Sequence, residues 1–145
     1  MRHPAHKIHE HLKTAKKAVI VPHPNPDGDA FGSASVMRAH LNSLGVENII
    51  FCSTPINPKL LSVIDVPNDS ISTSIDIFSD SDIDTIIVLD SGDLRYAGIA
   101  ELAKKHPATI INIDHHATNE LYGQINFVNP AASATAELIY EYLAY

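Results

Sequence analysis

Residues 18–33 read Ala-Val-Ile-Val-Pro-His-Pro-Asn-Pro-Asp-Gly-Asp-Ala-Phe-Gly-Ser, and this stretch decides the fold. The apolar run 18–21 predicts a short buried strand, and residues 34–44 predict a helix that ends at Gly45. The imidazole of His23 and the carboxylates of Asp27 and Asp29 therefore fall between a strand and a helix. In open α/β sheets, ligands bind in the crevice outside the carboxyl ends of the strands.

Further apolar, β-branched runs occupy residues 48–52, 85–89 and 109–113, and a more alternating run at 124–128 is expected at a sheet edge. Continuous apolar runs are typical of strands buried on both faces of a parallel sheet. Helices are predicted over about 5–17, over 96–105 and from Ser133 onward. This alternation predicts a doubly wound α/β fold, in which a mainly parallel, five-stranded sheet carries helices on both faces. Residues 53–84 predict only short helical or irregular pieces.

The composition limits the classes of function. A length of 145 residues with 45% hydrophobic residues suits one domain with a real core. The formal net charge of −7 argues against a broad basic surface that grips a nucleic-acid backbone. The single Cys52 excludes an internal disulfide, and neither a signal peptide nor a membrane-length apolar run is present. We therefore expect a soluble, cytoplasmic protein with no membrane partner.

Acidic and imidazole side chains follow three of the predicted strands. They are His23, Asp27 and Asp29 after the first strand, Asp90 after the run 85–89, and Asp114, His115 and His116 after the run 109–113. Because the carboxyl ends of parallel strands meet at one edge, we expect these groups to converge. A shell of carboxylates and imidazoles suits Mn²⁺ or Mg²⁺. So many carboxylates over-neutralise one cation, which favours two ions bridged by an aspartate.

Simpler interpretations exist for each group alone. An isolated Asp-x-Asp is most often a turn or a helix cap, and Arg95 suits a surface role as well as a phosphate contact. A calcium loop starting at Asp27 is excluded, because its fifth and twelfth positions would be Phe31 and Arg38. A Walker loop and a dinucleotide fingerprint are both absent from the sequence. The four N-terminal histidines (His3, His6, His9 and His11) are interpreted as solvated.

With these residues in hand, the chain resembles the N-terminal domain of the DHH phosphoesterases. It is most similar to the branch of bacterial oligoribonucleases and phosphoadenosine-phosphate phosphatases. Residues 23–33 resemble the first motif of the family, and residues 88–93 resemble the second. Residues 112–116 resemble the motif that names the family, and residues 126–141 resemble the segment that follows it.

The resemblance implies roles for individual residues. The implied metal ligands are His23, Asp27, Asp29, Asp90 and His115. His116 is then expected near the substrate phosphate, where it stabilises charge or assists proton transfer, with Asp114 orienting the neighbouring imidazoles. The expected substrate contacts are Arg95 and Asn119, the latter because it falls where that branch has asparagine.

The implied activity is Mn²⁺-dependent hydrolysis at a two-metal site, with Mg²⁺ or Co²⁺ as alternative ions. The implied substrates are short oligonucleotides, nucleotide bisphosphates such as pAp, or linear dinucleotides. Two alternatives stay open. One is a non-catalytic metal- or nucleotide-binding regulatory module. The other is a pyrophosphatase or exopolyphosphatase on the same metal framework.

The resemblance also implies a domain organisation. Residues 1–145 are expected to form a single N-terminal catalytic domain. The family's fourth-motif aspartate and its C-terminal substrate-binding domain are expected beyond Tyr145. Without them, the 145 residues are expected to bind metal incompletely and to show weak or absent turnover. The apolar stripe of the last helix leaves pairing with that domain, or a homodimer, as further expectations.

Overall fold

The computed structural model describes residues 3–145. Six strands form one sheet in which every neighbouring pair is parallel. They are β1 (Lys17–Pro22), β2 (Glu47–Phe51), β3 (Ile71–Ser72), β4 (Thr85–Leu89), β5 (Thr109–Asp114) and β6 (Ile125–Val128). The strand order is β3-β2-β1-β4-β5-β6, so its direction reverses between β1 and β4. A crevice opens at such a reversal point, outside the carboxyl ends of the two strands.

Helices and 3-10 turns connect the strands. The helices are α1 (Pro4–Leu12), α2 (Gly28–Ser43), α3 (Pro58–Leu61), α4 (Ala100–Lys105) and α5 (Thr135–Ala144), and 3-10 turns lie at Asn68–Ser70 and Ile75–Ser79. The sheet has a core on each face. Helices α1, α2 and α5 pack on one face, and α4 packs on the other with the 3-10 turn that contains Phe78.

The strands contribute to both cores, because successive side chains along a strand point to opposite faces of the sheet. Along β1, Ala18 and Ile20 face the helices α1, α2 and α5, whereas Val19 and Val21 face α4. All four side chains are buried, as the continuous apolar run predicts. The doubly wound α/β fold is therefore confirmed. The alternating run at 124–128 is β6, and it lies at an edge of the sheet as expected.

The predicted number of five strands is wrong, because the sheet has six. The additional strand, β3, is two residues long and pairs with Ile50 and Phe51 at the other edge. Two residues are too few for any hydrophobic period to show.

Three helix boundaries also differ from the prediction. The first helix ends at Leu12, and Lys17 already belongs to β1. The second begins at Gly28 rather than at residue 34, because the Asp27 carboxylate accepts a hydrogen bond from the Ala30 N–H and caps the helix. The helix expected from residue 96 begins at Ala100, since the preceding residues turn at Gly98, whose φ is +78°.

Within residues 3–145, no helix combines the length and the apolar character that a membrane crossing requires.

Candidate metal centre

The three strand ends that carry acidic and imidazole side chains meet at one edge. Strand β1 pairs with β4, and β4 with β5, so Pro22, Leu89 and Ile113 lie side by side in register. His23 and Asp90 directly follow the two strands at the reversal point. Residues 23, 90 and 114 to 116 are thereby brought to the crevice that the parallel topology creates.

Asp90 lies at the middle of this group and is 2% exposed. Its backbone adopts the left-handed region, with φ of +58°, which is strained for a residue other than glycine. The two carboxylate oxygens face different partners. Oδ2 lies 3.5 Å from Nε2 of His23, and Oδ1 lies 3.5 Å from Nε2 of His115. The hydroxyl of Thr135 donates a 2.9 Å hydrogen bond to Oδ1.

His23 and Asp27 form the group on the Oδ2 side of Asp90. These three residues each offer one ligand atom, and the atoms lie within 4.8 Å of one another. Nδ1 of His23 lies 2.7 Å from the carbonyl oxygen of Pro24, which can only accept, so Nδ1 carries the proton. Nε2 of His23 is thereby directed at Asp90 and at Asp27, 3.9 Å away.

His115 and Asp29 lie on the Oδ1 side. Nδ1 of His115 lies 3.3 Å from the carbonyl oxygen of Ala132, so its Nε2 is likewise left for a ligand. This Nε2 is 3.8 Å from Asp29 Oδ2. The Asp29 carboxylate accepts hydrogen bonds from two backbone N–H groups at the start of α5, Thr135 at 2.9 Å and Ala136 at 2.8 Å. The helix N-terminus therefore holds this carboxylate in place.

The electrostatics of the centre favour charged groups. Burial by itself raises the pKa of Asp90, but hydrogen bonds with His23 and Thr135 outweigh it and hold this pKa below its usual range. The hydrogen bond with Asp90 raises the pKa of His23. Both shifts favour a protonated imidazole beside the ionised carboxylate. Because a metal needs the neutral imidazole, binding of a cation would release that proton.

Asp114 and His116 form a second layer beside Asp90. The Asp114 side chain is fully buried, and its Oδ1 lies 2.6 Å from Nδ1 of His116. This hydrogen bond raises the pKa of His116. Asp90, His115 and His116 form a second compact group of three ligand atoms, but Nδ1 of His116 is already bonded to Asp114. Asp29 is therefore the better candidate to complete a site with His115 and Asp90.

Arg95 and Asn119, the two residues expected to contact substrate, lie outside the group of candidate metal ligands around Asp90. Arg95 is exposed, and its guanidinium lies 3.8 Å from Asp93 and 3.4 Å from Glu120. Asn119 lies against Asp114, where its Nδ2 donates a 2.7 Å hydrogen bond to Oδ2. The N-terminal histidines lie elsewhere. His11, for example, bonds Thr85 at the first residue of β4.

Two residues of the centre were missed by the sequence analysis. Thr135 contacts Asp90 across 45 sequence positions, and only its place at the start of a predicted helix hinted at a role. The ring of Tyr96 lies 5.5 Å from that of His23, centroid to centroid, and Tyr96 is 55% exposed. No local pattern marks that contact.

The chain is similar to several known proteins. The sequence profile described as DHH family, N-terminal domain, matches residues 17–145. The bifunctional oligoribonuclease and PAP phosphatase NrnA of Thermus thermophilus is 29% identical over 134 residues, which cover 91% of this chain and 38% of that protein. The protein of the same name from Bacillus subtilis is 31% identical over 122 residues, covering 82% of this chain and 35% of that one.

A solved structure agrees with these matches. The crystal structure of an exopolyphosphatase-related protein from Bacteroides fragilis superposes with a TM-score of 0.81 at 26% identity, over 97% of this chain and 43% of that one. The chain thus spans between a third and two fifths of the length of the curated relatives. The match to the N-terminal-domain profile extends from the first residue of β1 to the end of the chain, and the chain therefore belongs to the DHH family.

Proposed function

We propose that this chain is the catalytic domain of a metal-dependent phosphoesterase that hydrolyses short oligonucleotides or nucleotide bisphosphates. The observation that carries the proposal is the position of the Asp90 carboxylate between two imidazoles. Each imidazole faces it with Nε2, because each Nδ1 lies against a backbone carbonyl oxygen. This arrangement suits two divalent cations that share one aspartate.

The donor set fits hard divalent cations. Carboxylate oxygens dominate it, and thiolates do not contribute, since Cys52 donates towards the carbonyl oxygen of His23. One cation would be held by His23, Asp27 and Asp90, and the other by Asp29, Asp90 and His115. Mn²⁺ is the ion we propose. Such cations supply Lewis acidity that stabilises negative charge on a phosphoryl group.

The remaining residues would act on the substrate. His116 is half-exposed beside Asp90, and its Nδ1–H is held by Asp114. Its Nε2 is therefore free to donate a hydrogen bond to a phosphate oxygen when the ring is charged, and to accept a proton when it is neutral. Arg95 is exposed in the turn after β4, and we propose that it attracts the phosphate.

The names of the relatives support the choice of substrate. Two of them are called oligoribonuclease and PAP phosphatase, and a third is described as exopolyphosphatase-related. A substrate panel at fixed Mn²⁺ separates these chemistries. It contains the dinucleotide pApA, the bisphosphate pAp, pyrophosphate and a linear polyphosphate.

The proposal predicts Mn²⁺-dependent release of mononucleotide from pApA or of phosphate from pAp. Asp90→Asn should abolish that release. Asp76→Asn is the matched control, because Asp76 is exposed and lies outside the centre. Hydrolysis of pyrophosphate or polyphosphate alone would favour the alternative activity on the same framework. Tight Mn²⁺ binding with no turnover of any substrate would favour a regulatory module.

A further inference from the structure

A cluster of three asparagine side chains lies beneath the loop that carries His115 and His116. Asn112, on β5, is fully buried and donates 2.8 Å hydrogen bonds to Asn119 Oδ1 and to Asn126 Oδ1. Asn119 donates back to Asn112 Oδ1 at 3.1 Å. Asn126 also closes the turn at Gly123 by one hydrogen bond in each direction. Buried amides satisfied in this way fix one geometry, because each lost partner would leave a polar group unpaired.

Asn119 uses all of its polar atoms inside the protein. Its Nδ2 carries two protons and lies within hydrogen-bonding distance of three acceptors, which are Asp114 Oδ2 at 2.7 Å, Asn112 Oδ1, and the carbonyl oxygen of Ser91 at 3.2 Å, so one proton is shared between two of them. Its Oδ1 accepts from Asn112 Nδ2 and from the Leu121 N–H, each at 2.8 Å. This side chain has no donor left for a substrate. It joins the turn that follows β4 to the loop that follows β5.

The Asp114 carboxylate depends on Asn119. It is fully buried, and each of its oxygens has one side-chain partner among the described residues: Nδ1 of His116 on Oδ1 and Nδ2 of Asn119 on Oδ2. A buried carboxylate that loses a partner is left with an unpaired oxygen, so it rotates towards another donor. After that rotation Oδ1 no longer accepts the hydrogen bond from His116 in the same geometry.

We propose that Asn119 is a positioning residue, which fixes the Asp114 carboxylate so that His116 keeps its proton on Nδ1 and presents Nε2 to the substrate. The part that concerns substrate rests on the function proposed above. The part that concerns Asp114 and His116 stands on the contacts alone. The proposal replaces the expected role of Asn119 as a substrate contact.

The direct test is the tautomer of His116, read by ¹⁵N NMR from the couplings of its ring nitrogens at pH about 9, with Mg²⁺ as the diamagnetic ion. Wild type should show a single Nδ1–H tautomer. Asn119→Ala should give a mixture or the Nε2–H form. Asn119→Asp keeps the shape but replaces the donor by a carboxylate, so it should disturb the tautomer at least as much.

Asn126→Ala is the matched control. It removes a partner of Asn112 from the same amide cluster, but Asn126 makes its side-chain hydrogen bonds with Asn112 and Gly123 and not with Asp114. It should lower the melting temperature and leave the His116 tautomer unchanged. Retention of the wild-type tautomer in both Asn119 variants would overturn the proposal. So would an equal disturbance of the tautomer by Asn126→Ala.

A measurement on the wild-type chain covers the case in which the variants do not fold. The Nδ2 protons of Asn119 should exchange with solvent far more slowly than those of an exposed asparagine, and rapid exchange would contradict the proposal. In turnover of pApA, Asn119→Ala should lower kcat about tenfold to a hundredfold and leave KM within about twofold. If the wild-type chain bound no Mn²⁺ at Asp90, the proposed function would be refuted, whereas the tautomer would still decide the role of Asn119.

Discussion

Removing the hydroxyl of Thr135 tests how much its hydrogen bond to Asp90 stabilises the chain in the absence of a cation. Thr135→Val replaces the hydroxyl by a methyl group of nearly the same shape. Both partners of the 2.9 Å hydrogen bond are buried, with Thr135 0% and Asp90 2% exposed. Water therefore cannot replace the lost donor at Asp90 Oδ1, and the variant should raise the pKa of Asp90.

The expected magnitude follows from the charge of the acceptor. A hydrogen bond to a charged group contributes about 1.5–3 kcal/mol to the free energy of unfolding. In a chain of this size each kcal/mol shifts the melting temperature by roughly 2–4 °C, so the metal-free variant should melt about 3–12 °C below wild type. Saturating Mn²⁺ should shrink this difference, because a bound cation compensates the Asp90 charge in place of the hydroxyl.

Urea and thermal unfolding followed by circular dichroism, with and without Mn²⁺, measure both effects. Thr135→Ser keeps the hydroxyl and loses one methyl group, so it reports the packing contribution alone. A metal-free Thr135→Val variant that melts at the wild-type temperature would refute the expected contribution of the hydrogen bond. A difference between Thr135→Val and Thr135→Ser that Mn²⁺ leaves unchanged would contradict the expected compensation by the cation.

Three other predictions concern pH, backbone packing and metal. Burial and the nearby charge of His9 lower the pKa of His40 in the folded chain. His40 is therefore protonated more readily in the unfolded chain, and the free energy of unfolding decreases as pH falls below about 6.5. His40→Leu should therefore lose less stability than wild type between pH 7 and pH 5 in urea titrations. Gly123→Ala would place a Cβ 2.7 Å from the Ile125 carbonyl oxygen, so the chain should lose at least about 2 kcal/mol, measured by chemical unfolding. Mn²⁺ at about 100 times its Kd should stabilise wild type by about 2.7 kcal/mol in thermal melts, and Asp90→Asn should abolish this gain.

Much of the fold could be predicted from the sequence. Most residues of the runs that became β1, β4 and β5 are apolar and many are β-branched, as expected for strands with both faces buried. Their carboxyl ends carry the acidic and imidazole residues, so the topology alone places His23 and Asp90 side by side. Strand β3 could not be predicted, since two residues held by pairing with β2 leave no hydrophobic pattern.

The rest of the centre depends on contacts between distant segments. Nothing near Thr135 in the sequence indicates that its hydroxyl reaches Asp90 or that its N–H reaches Asp29. The role of Asp27 at the start of α2 was hard to predict for a different reason. Asp27 caps the helix, and its carboxylate also lies 3.9 Å from Nε2 of His23, where the proposed metal site requires it.

The central claim is that Asp90 is shared between two cations, and anomalous diffraction from crystals of the chain soaked in Mn²⁺ tests it most directly. Two anomalous peaks should flank the Asp90 carboxylate. One should lie among His23, Asp27 and Asp90, and the other among Asp29, Asp90 and His115. A single peak that does not contact Asp90, or the absence of any peak at this edge of the sheet, would contradict the account.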